Sequence, residues 1–309
     1  MTTKNKFNFK PFLGPKHWPT WIGLIILRSF TFLPYRLQMA MGRFLGHLSY
    51  ALIPKRRHIV ETNIRLAFPD LNEEEQKTLV KKTFASTGMG IFETAMAWWG
   101  SKRRLQSMVS INGIEHLQNA LAQGKGVILL SAHFSSLELS GRLLSFTQPF
   151  QVTYKRAHNP LMEAVLRYVR KQHFIDAINT YDTREMITAL KKNVATWYAM
   201  DQDLGARLHV FAPFMGIPTC TLVTTSRLAK MSGAIVVPYF PKRLDDCCKY
   251  ELTIHPALEN FPSDNDLEDT TRINDLITQH VKEAPDQYLW VHRRFKTRPP
   301  GEPDVYTKL

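Results

Sequence analysis

The run Gly126-Val-Ile-Leu-Leu-Ser131 limits the architecture more than any other stretch of the chain. A short apolar run bounded by glycine suits a buried strand. Similar runs recur at 150–154, 196–200, 234–239 and 250–254. Helical patterns fill the intervals, at 135–146, 160–172, 183–192, 221–231 and 270–282. Strands alternating with helices predict an α/β domain with a largely parallel central sheet flanked by helices. Upstream, residues 58 to about 107 read as helical, and Asn72 before Glu73-Glu74-Glu75 marks a helix start with acids at the positive end of its dipole. With 309 residues, 44% of them hydrophobic, the chain can bury a substantial core.

The charge is unevenly placed. No Asp or Glu precedes Glu61, while residues 1–60 hold five Lys and five Arg, against a net formal charge of +13 for the whole chain. These cations flank two apolar runs, WIGLIILRSFTFL (21–33) and LQMAMGRFLGHLSYALI (37–53). Basic arms that bind nucleic acid are usually polar, and no nucleic-acid module is recognisable, so an anionic membrane surface is the expected partner. Arg28 and Pro34 cut the first run short of the ~20 residues a spanning helix needs. The expectation is a monotopic or shallowly inserted helical pair rather than a single span. Residues 1–57 then form a membrane-associating segment and 58–309 the α/β domain, with Pro54-Lys55-Arg56-Arg57 as the break. Three cysteines, Cys220 and the adjacent Cys247 and Cys248, make neither a disulfide framework nor a zinc knuckle and fit a reducing compartment.

The chain has no G-x-S-x-G elbow, no phosphate-binding P-loop and no H-E-x-x-H pair. What remains is SAHFSSLEL (131–139), where His133 follows the buried strand and Glu138 follows His133. Two roles for Glu138 stay open. It can serve His133 as the carboxylate of a general base, provided His133 sits in the turn and Glu138 in the first helical turn. Equally, Ser135-x-x-Glu138 has the spacing of a capping box. Backbone N–H groups at this helix start are candidate partners for a developing oxyanion. A second candidate is WYAMDQDLG (197–205), which ends another strand. Ligands in open α/β sheets sit outside the carboxyl ends of the strands, so Asp201 is placed to share a cleft with His133. Asp201-x-Asp203 also suggests a divalent ion, but no third ligand accompanies it and no metal is expected. The basic residues Lys155, Arg156, Arg167, Arg170 and Lys171, and the run His292–Arg298, suit a phosphorylated substrate.

These residues lie in ordered blocks that resemble the late lipid A acyltransferases of Gram-negative bacteria, the lauroyl- and myristoyl-transferase group within the wider glycerolipid acyltransferase superfamily. The blocks are HWPTWIGL (17–24), NIRLAFPD (63–70), ETAMAWW (93–99), HFSSLEL (133–139), WYAMDQDLG (197–205), FAPFMG (211–216), LAKMSGAIVVP (228–238) and PDQYLWVHRRFKTRPPG (285–301). The resemblance implies acyl transfer from acyl carrier protein, a substrate rather than a cofactor, to a hydroxyl on an acyl chain of a lipid A precursor. It implies an enzyme of the bacterial inner membrane with its catalytic domain facing the cytoplasm. By this resemblance His133 is the base, Glu138 orients and polarises it, Arg170 binds phosphate or donor, and Asp201 positions the acceptor or another side chain. Where family members often carry Tyr-Arg-Pro, this chain has Tyr154-Lys155-Arg156. A lysophospholipid or glycerol-phosphate acyltransferase with the same chemistry, and a non-catalytic basic protein of membrane surfaces, are the competing readings.

Overall fold

The computed structural model describes residues 7–205, 208–244 and 249–307; Lys4, Lys6, Cys247 and Cys248 lie outside the described residues. In chain order the helices and strands are α1 (Trp18–Phe30), α2 (Tyr35–Leu52), α3 (Pro54–Ala67), α4 (Glu73–Trp99), α5 (Lys102–Gln106), β1 (Val109–Asn112), α6 (Ile114–Ala122), β2 (Val127–Ser131), α7 (Leu137–Leu144) and β3 (Gln151–Tyr154). There follow α8 (Pro160–His173), β4 (Ala177–Asn179), α9 (Thr183–Lys191), β5 (Ala195–Ala199), β6 (His209–Phe214), β7 (Ile217–Leu222), α10 (Thr224–Ser232), β8 (Ile235–Arg243), β9 (Tyr250–Ile254) and α11 (Asp266–Glu283).

Seven strands form one sheet in the order β1-β9-β8-β2-β5-β3-β4, and every neighbouring pair is parallel except β8–β9. Strand β2 lies at its centre with all five residues buried. Its side chains alternate between two cores, as a strand's period of two requires. Val127 and Leu129 join Phe92, Leu139, Val165 and Trp197 on one face. Ile128 and Leu130 join Ile64, Leu228, Ile273 and Trp290 on the other. Helices therefore cover both faces, as the alternation predicts.

Several sequence expectations change in detail. Strands β1 and β4 and the β6–β7 hairpin were not expected, being short or broken by proline and polar residues. The start of the expected helix at 221 is instead the end of β7, so α10 begins at Thr224. Asn72 does cap α4, with its side chain accepting from Glu74 and Glu75 N–H and the Glu75 carboxylate returning to the Asn72 N–H. The capping box, one of the two readings open for Ser135-x-x-Glu138, does not form. Helix α7 starts at Leu137 with no side-chain cap, because Ser135 and Glu138 are both turned to other partners.

The two basic, apolar runs form α1 and α2, with Pro34 between them. Pro54 occupies the first turn of α3, where its missing N–H costs nothing. Helix α2 lies backbone to backbone against α4. A Cβ on Gly46 would stand 2.2 Å from the Phe84 carbonyl oxygen, and one on Gly88 2.1 Å from that of Gly42. Ile22 and Ile25 of α1, Phe32 in the connection, and Phe44, Leu48 and Leu52 of α2 are exposed. Among the described residues no helix is long and apolar enough to cross a membrane.

Candidate active site

Strands β2 and β5 pair in register, with Ser131 opposite Ala199. Two residues beyond each strand end stand His133 and Asp201, so the register itself delivers the pair. His133 Nδ1 lies 2.6 Å from Asp201 Oδ1, and the His133 backbone N–H donates to Asp201 Oδ2 at 2.9 Å. The loop that carries His133 is pinned from the C-terminal segment. Leu289 N–H donates to the His133 carbonyl at 2.9 Å, and Ser135 N–H donates to the Gln287 carbonyl at 2.7 Å.

The electrostatics fix the tautomer. Burial disfavours the Asp201 carboxylate, but the His133 charge and hydrogen bonds outweigh it and bring its pKa down to about 2. An ionised carboxylate only accepts, so Nδ1 carries the hydrogen and Nε2 presents a lone pair. Burial likewise works against the imidazolium, yet Asp201 raises the His133 pKa above its ordinary value. The Asp201 side chain is 1% exposed and that of His133 23%. His133 lines a cleft of about 440 Å³ whose wall includes Tyr154, Lys155, Trp197, Gln202 and Thr224. Nε2 has no hydrogen-bond partner among the described residues, which leaves it available to a substrate in that cleft.

Glu138 is elsewhere. Its carboxylate accepts from Arg170 Nε at 3.1 Å and from a terminal Arg170 nitrogen at 2.8 Å, and also from Trp98 Nε1 at 3.1 Å. No hydrogen bond joins it to His133 among the described residues, and Asp201 holds the place expected for it. The reason is geometric: on α7 the Glu138 side chain turns toward α8, while the His133 turn faces the end of β5. Burial would raise the Glu138 pKa, but Arg170 and Trp98 hold it below the ordinary carboxylate range. Arg170, expected to bind phosphate or donor, uses its fork on Glu138 and lies 5.0 Å above the Tyr154 ring. This pair flanks a small cavity with Leu137, Gly141, Phe150 and Trp197. Trp197 and Thr153 line that cavity and the His133 cleft alike, so they form the wall between the two.

Other candidates resolve into supports. Asp203 accepts from the Thr297 N–H and hydroxyl, so the two carboxylates of Asp201-x-Asp203 serve different partners. Arg294 is 1% exposed and donates to the Cys220 carbonyl and the Thr221 hydroxyl, which makes it structural. Arg298 likewise donates to the Pro218 carbonyl and pairs with Glu302. Three amides near the start of α7, those of His133, Ser135 and Leu137, are already bonded, which narrows the set able to receive an oxyanion. Sequence reasoning missed Glu93, Arg243 and Gln287 beneath the loop. Glu93 alone carried a signal, as a lone acid in the apolar stretch ETAMAWW.

An α/β sheet whose central strand ends bring a carboxylate-held histidine to a cleft has the arrangement that general-base catalysis uses. The chain belongs to the bacterial lipid A biosynthesis acyltransferase family, whose model matches residues 6–297. It is an acyltransferase. It is 37% identical to the lipid A biosynthesis lauroyltransferase of Escherichia coli (strain K12), over 99% of this chain and 100% of that protein. It is 36% identical to that organism's palmitoleoyltransferase, over 96% of this chain and 97% of that protein. Identity to its myristoyltransferase is 25%, over 99% and 97%.

Proposed function

We propose that this enzyme transfers a fatty acyl group from acyl carrier protein to a hydroxyl of a primary hydroxyacyl chain on a lipid A precursor. The observation that carries the reading is the His133 Nδ1–Asp201 contact of 2.6 Å, with Nε2 open to the cleft. Nε2 takes the proton of the acceptor hydroxyl as its oxygen attacks the thioester carbonyl carbon. The C–S bond then breaks, and the imidazolium returns the proton to the leaving thiolate. Asp201 holds the ring's orientation and stabilises the transient positive charge. Both substrates are bound together, with no acyl-enzyme. In support, the buried Cys220 thiol is pushed up to about 11 by burial and by Asp203, the reverse of an activated nucleophile. Glu138 contributes through Arg170, by holding the wall of the cleft rather than by touching the imidazole.

The exposed apolar residues of α1 and α2, with Arg28, Arg36 and Arg43 exposed in the same stretch, suit shallow insertion into an anionic leaflet. At the inner face of the bacterial inner membrane such a seat reaches a lipid acceptor without extracting it. The excess of basic residues also favours an acidic carrier protein and an anionic acceptor.

The test is an assay of purified enzyme with lipid A precursor and a panel of acyl carrier protein donors, read by mass spectrometry. Expected is a gain of one acyl group on the precursor. Transfer to lysophospholipid or glycerol phosphate alone, with lipid A acyl number unchanged in a deletion strain, would overturn the reading. Full acyl transfer by a His133→Ala variant would instead remove His133 from the role of base.

A further inference from the structure

The His133 loop rests on a chain of buried polar groups that the reaction above does not use. Arg243, the last residue of β8, is 7% exposed and Glu93, within α4, is 1% exposed. Arg243 Nε and one terminal nitrogen donate to the Glu93 carboxylate at 2.6 and 2.8 Å. That same terminal nitrogen reaches the Ser135 hydroxyl at 2.9 Å, and the other reaches Ser86 at 2.9 Å. Ser135 lies two residues past His133. The backbone of Arg243 is clasped as well, its N–H donating to Gln287 Oε1 at 2.8 Å and its carbonyl accepting from Gln287 Nε2 at 2.9 Å. Gln287 is the residue whose carbonyl holds the Ser135 N–H. Behind Glu93 stands the Tyr250 hydroxyl, and the Tyr35 hydroxyl at the start of α2 lies 2.8 Å from that of Tyr250.

Stability alone is a poor account of this cluster. A buried ion pair is expensive to desolvate, and apolar residues of the same volume commonly serve the core as well or better. What an arginine supplies and a hydrophobic side chain does not is a rigid fork. Here the fork joins α4 to the loop that carries the base. Misplacing a reacting group by about 1 Å can cost about 100-fold in rate.

Building on the assignment of His133 as the base, we propose that Arg243 is a positioning residue. Its guanidinium fixes Ser135, and thereby the stance of His133 over the cleft, while Glu93 fixes the guanidinium.

Arg243→Lys keeps a cation beside Glu93 but loses the fork, and Ser135→Ala removes only the loop end. Expected are folded proteins with kcat lowered about 10- to 100-fold in Arg243→Lys and about 10-fold in Ser135→Ala, with acceptor KM within about two-fold. Melting of Ser135→Ala should match the wild type. The ¹⁵N shifts of the His133 imidazole, read without substrate, should report one Nδ1-protonated tautomer in the wild type and a mixture in both variants. Rates within about two-fold of wild type in both variants, or rate losses that merely track melting temperature, overturn the proposal. Should the wild type fail to acylate lipid A precursor, the functional reading falls. The nitrogen shifts then decide the positioning role alone: altered shifts sustain it and wild-type shifts overturn it.

Discussion

His133 and Glu138 are five residues apart and belong to two different kinds of ion pair. The His133–Asp201 pair is open: one ring nitrogen is bonded, and the other faces a cleft. The Glu138–Arg170 pair is closed, because the carboxylate oxygens accept from Arg170 and Trp98 together. Their electrostatics diverge in the same way. Glu138 is lowered and Arg170 raised, each by the other against the opposing effect of burial, so no proton moves between them near neutrality. Asp201 instead lifts an imidazole that already titrates near physiological pH. Proximity in sequence therefore says little about shared chemistry; the strand or helix opposite decides it.

The most forceful attack on this contrast removes the open pair's base. His133→Ala should lower kcat by about 10³-fold, while the protein stays folded because the imidazole is partly exposed. Next comes Asp201→Asn, which holds the ring but removes the charge, with an expected loss of about 10²- to 10³-fold in kcat. Its pH profile is more telling. With His133 as the proposed base, the neutral imidazole is the active form and kcat/KM rises with pH through the His133 pKa. In the wild type that midpoint lies above the ordinary histidine value, since Asp201 raises it. Without the carboxylate, burial acts alone and the midpoint should move to lower pH. A midpoint that stays put would mean that another group sets the profile and that the open pair is misassigned.

Much of this geometry is legible in the amino-acid sequence. The alternation of apolar runs and helical patterns marks the parallel sheet, since β2 is fully buried and its neighbours β5 and β8 are mostly so. Asp201 could be placed beside His133 because both follow strands, and ligand sites gather at strand ends. The assignment of Glu138 to His133 failed for a different reason. Spacing along the chain fixes where the backbone goes but not which distant side chain arrives first. Arg170, thirty-two residues on, reaches the Glu138 carboxylate from α8. The Glu93–Arg243 pair joins residues 150 positions apart, and no local pattern announces such a contact. The short hairpin β6–β7 escaped for lack of apolar alternation, with Pro213 and Pro218 inside it.

Glu138→Gln tests the closed pair. Glutamine can still accept from Trp98 and Arg170 but leaves the guanidinium without its counter-charge. The expected stability loss is about 2 kcal/mol, below that for a fully buried pair because both side chains keep some exposure. Activity should fall by about 10-fold through a loosened cleft wall, with the acid limb of the pH profile unmoved. A loss as large as that of His133→Ala, with the midpoint displaced, would join Glu138 to the base and erase the distinction between the pairs.

Lys155 offers the smallest and most selective perturbation. It is exposed, lines the His133 cleft and directly follows β3, on the His133 side of the Trp197 wall. An exposed ammonium interacts with an anionic group by about 0.2–1 kcal/mol, which corresponds to about a 1.5- to 5-fold change in affinity. Lys155→Ala should therefore raise acceptor KM within that range and leave kcat alone, because the charge lies apart from the proton-transfer pair. Screening supplies the control. At about 1 M salt the Debye length falls to about 3 Å, and the difference between variant and wild type should vanish. A fall in kcat that survives high salt would place Lys155 at the reacting atoms. The open pair would then be a triad of His133, Asp201 and Lys155 acting on the thioester carbonyl.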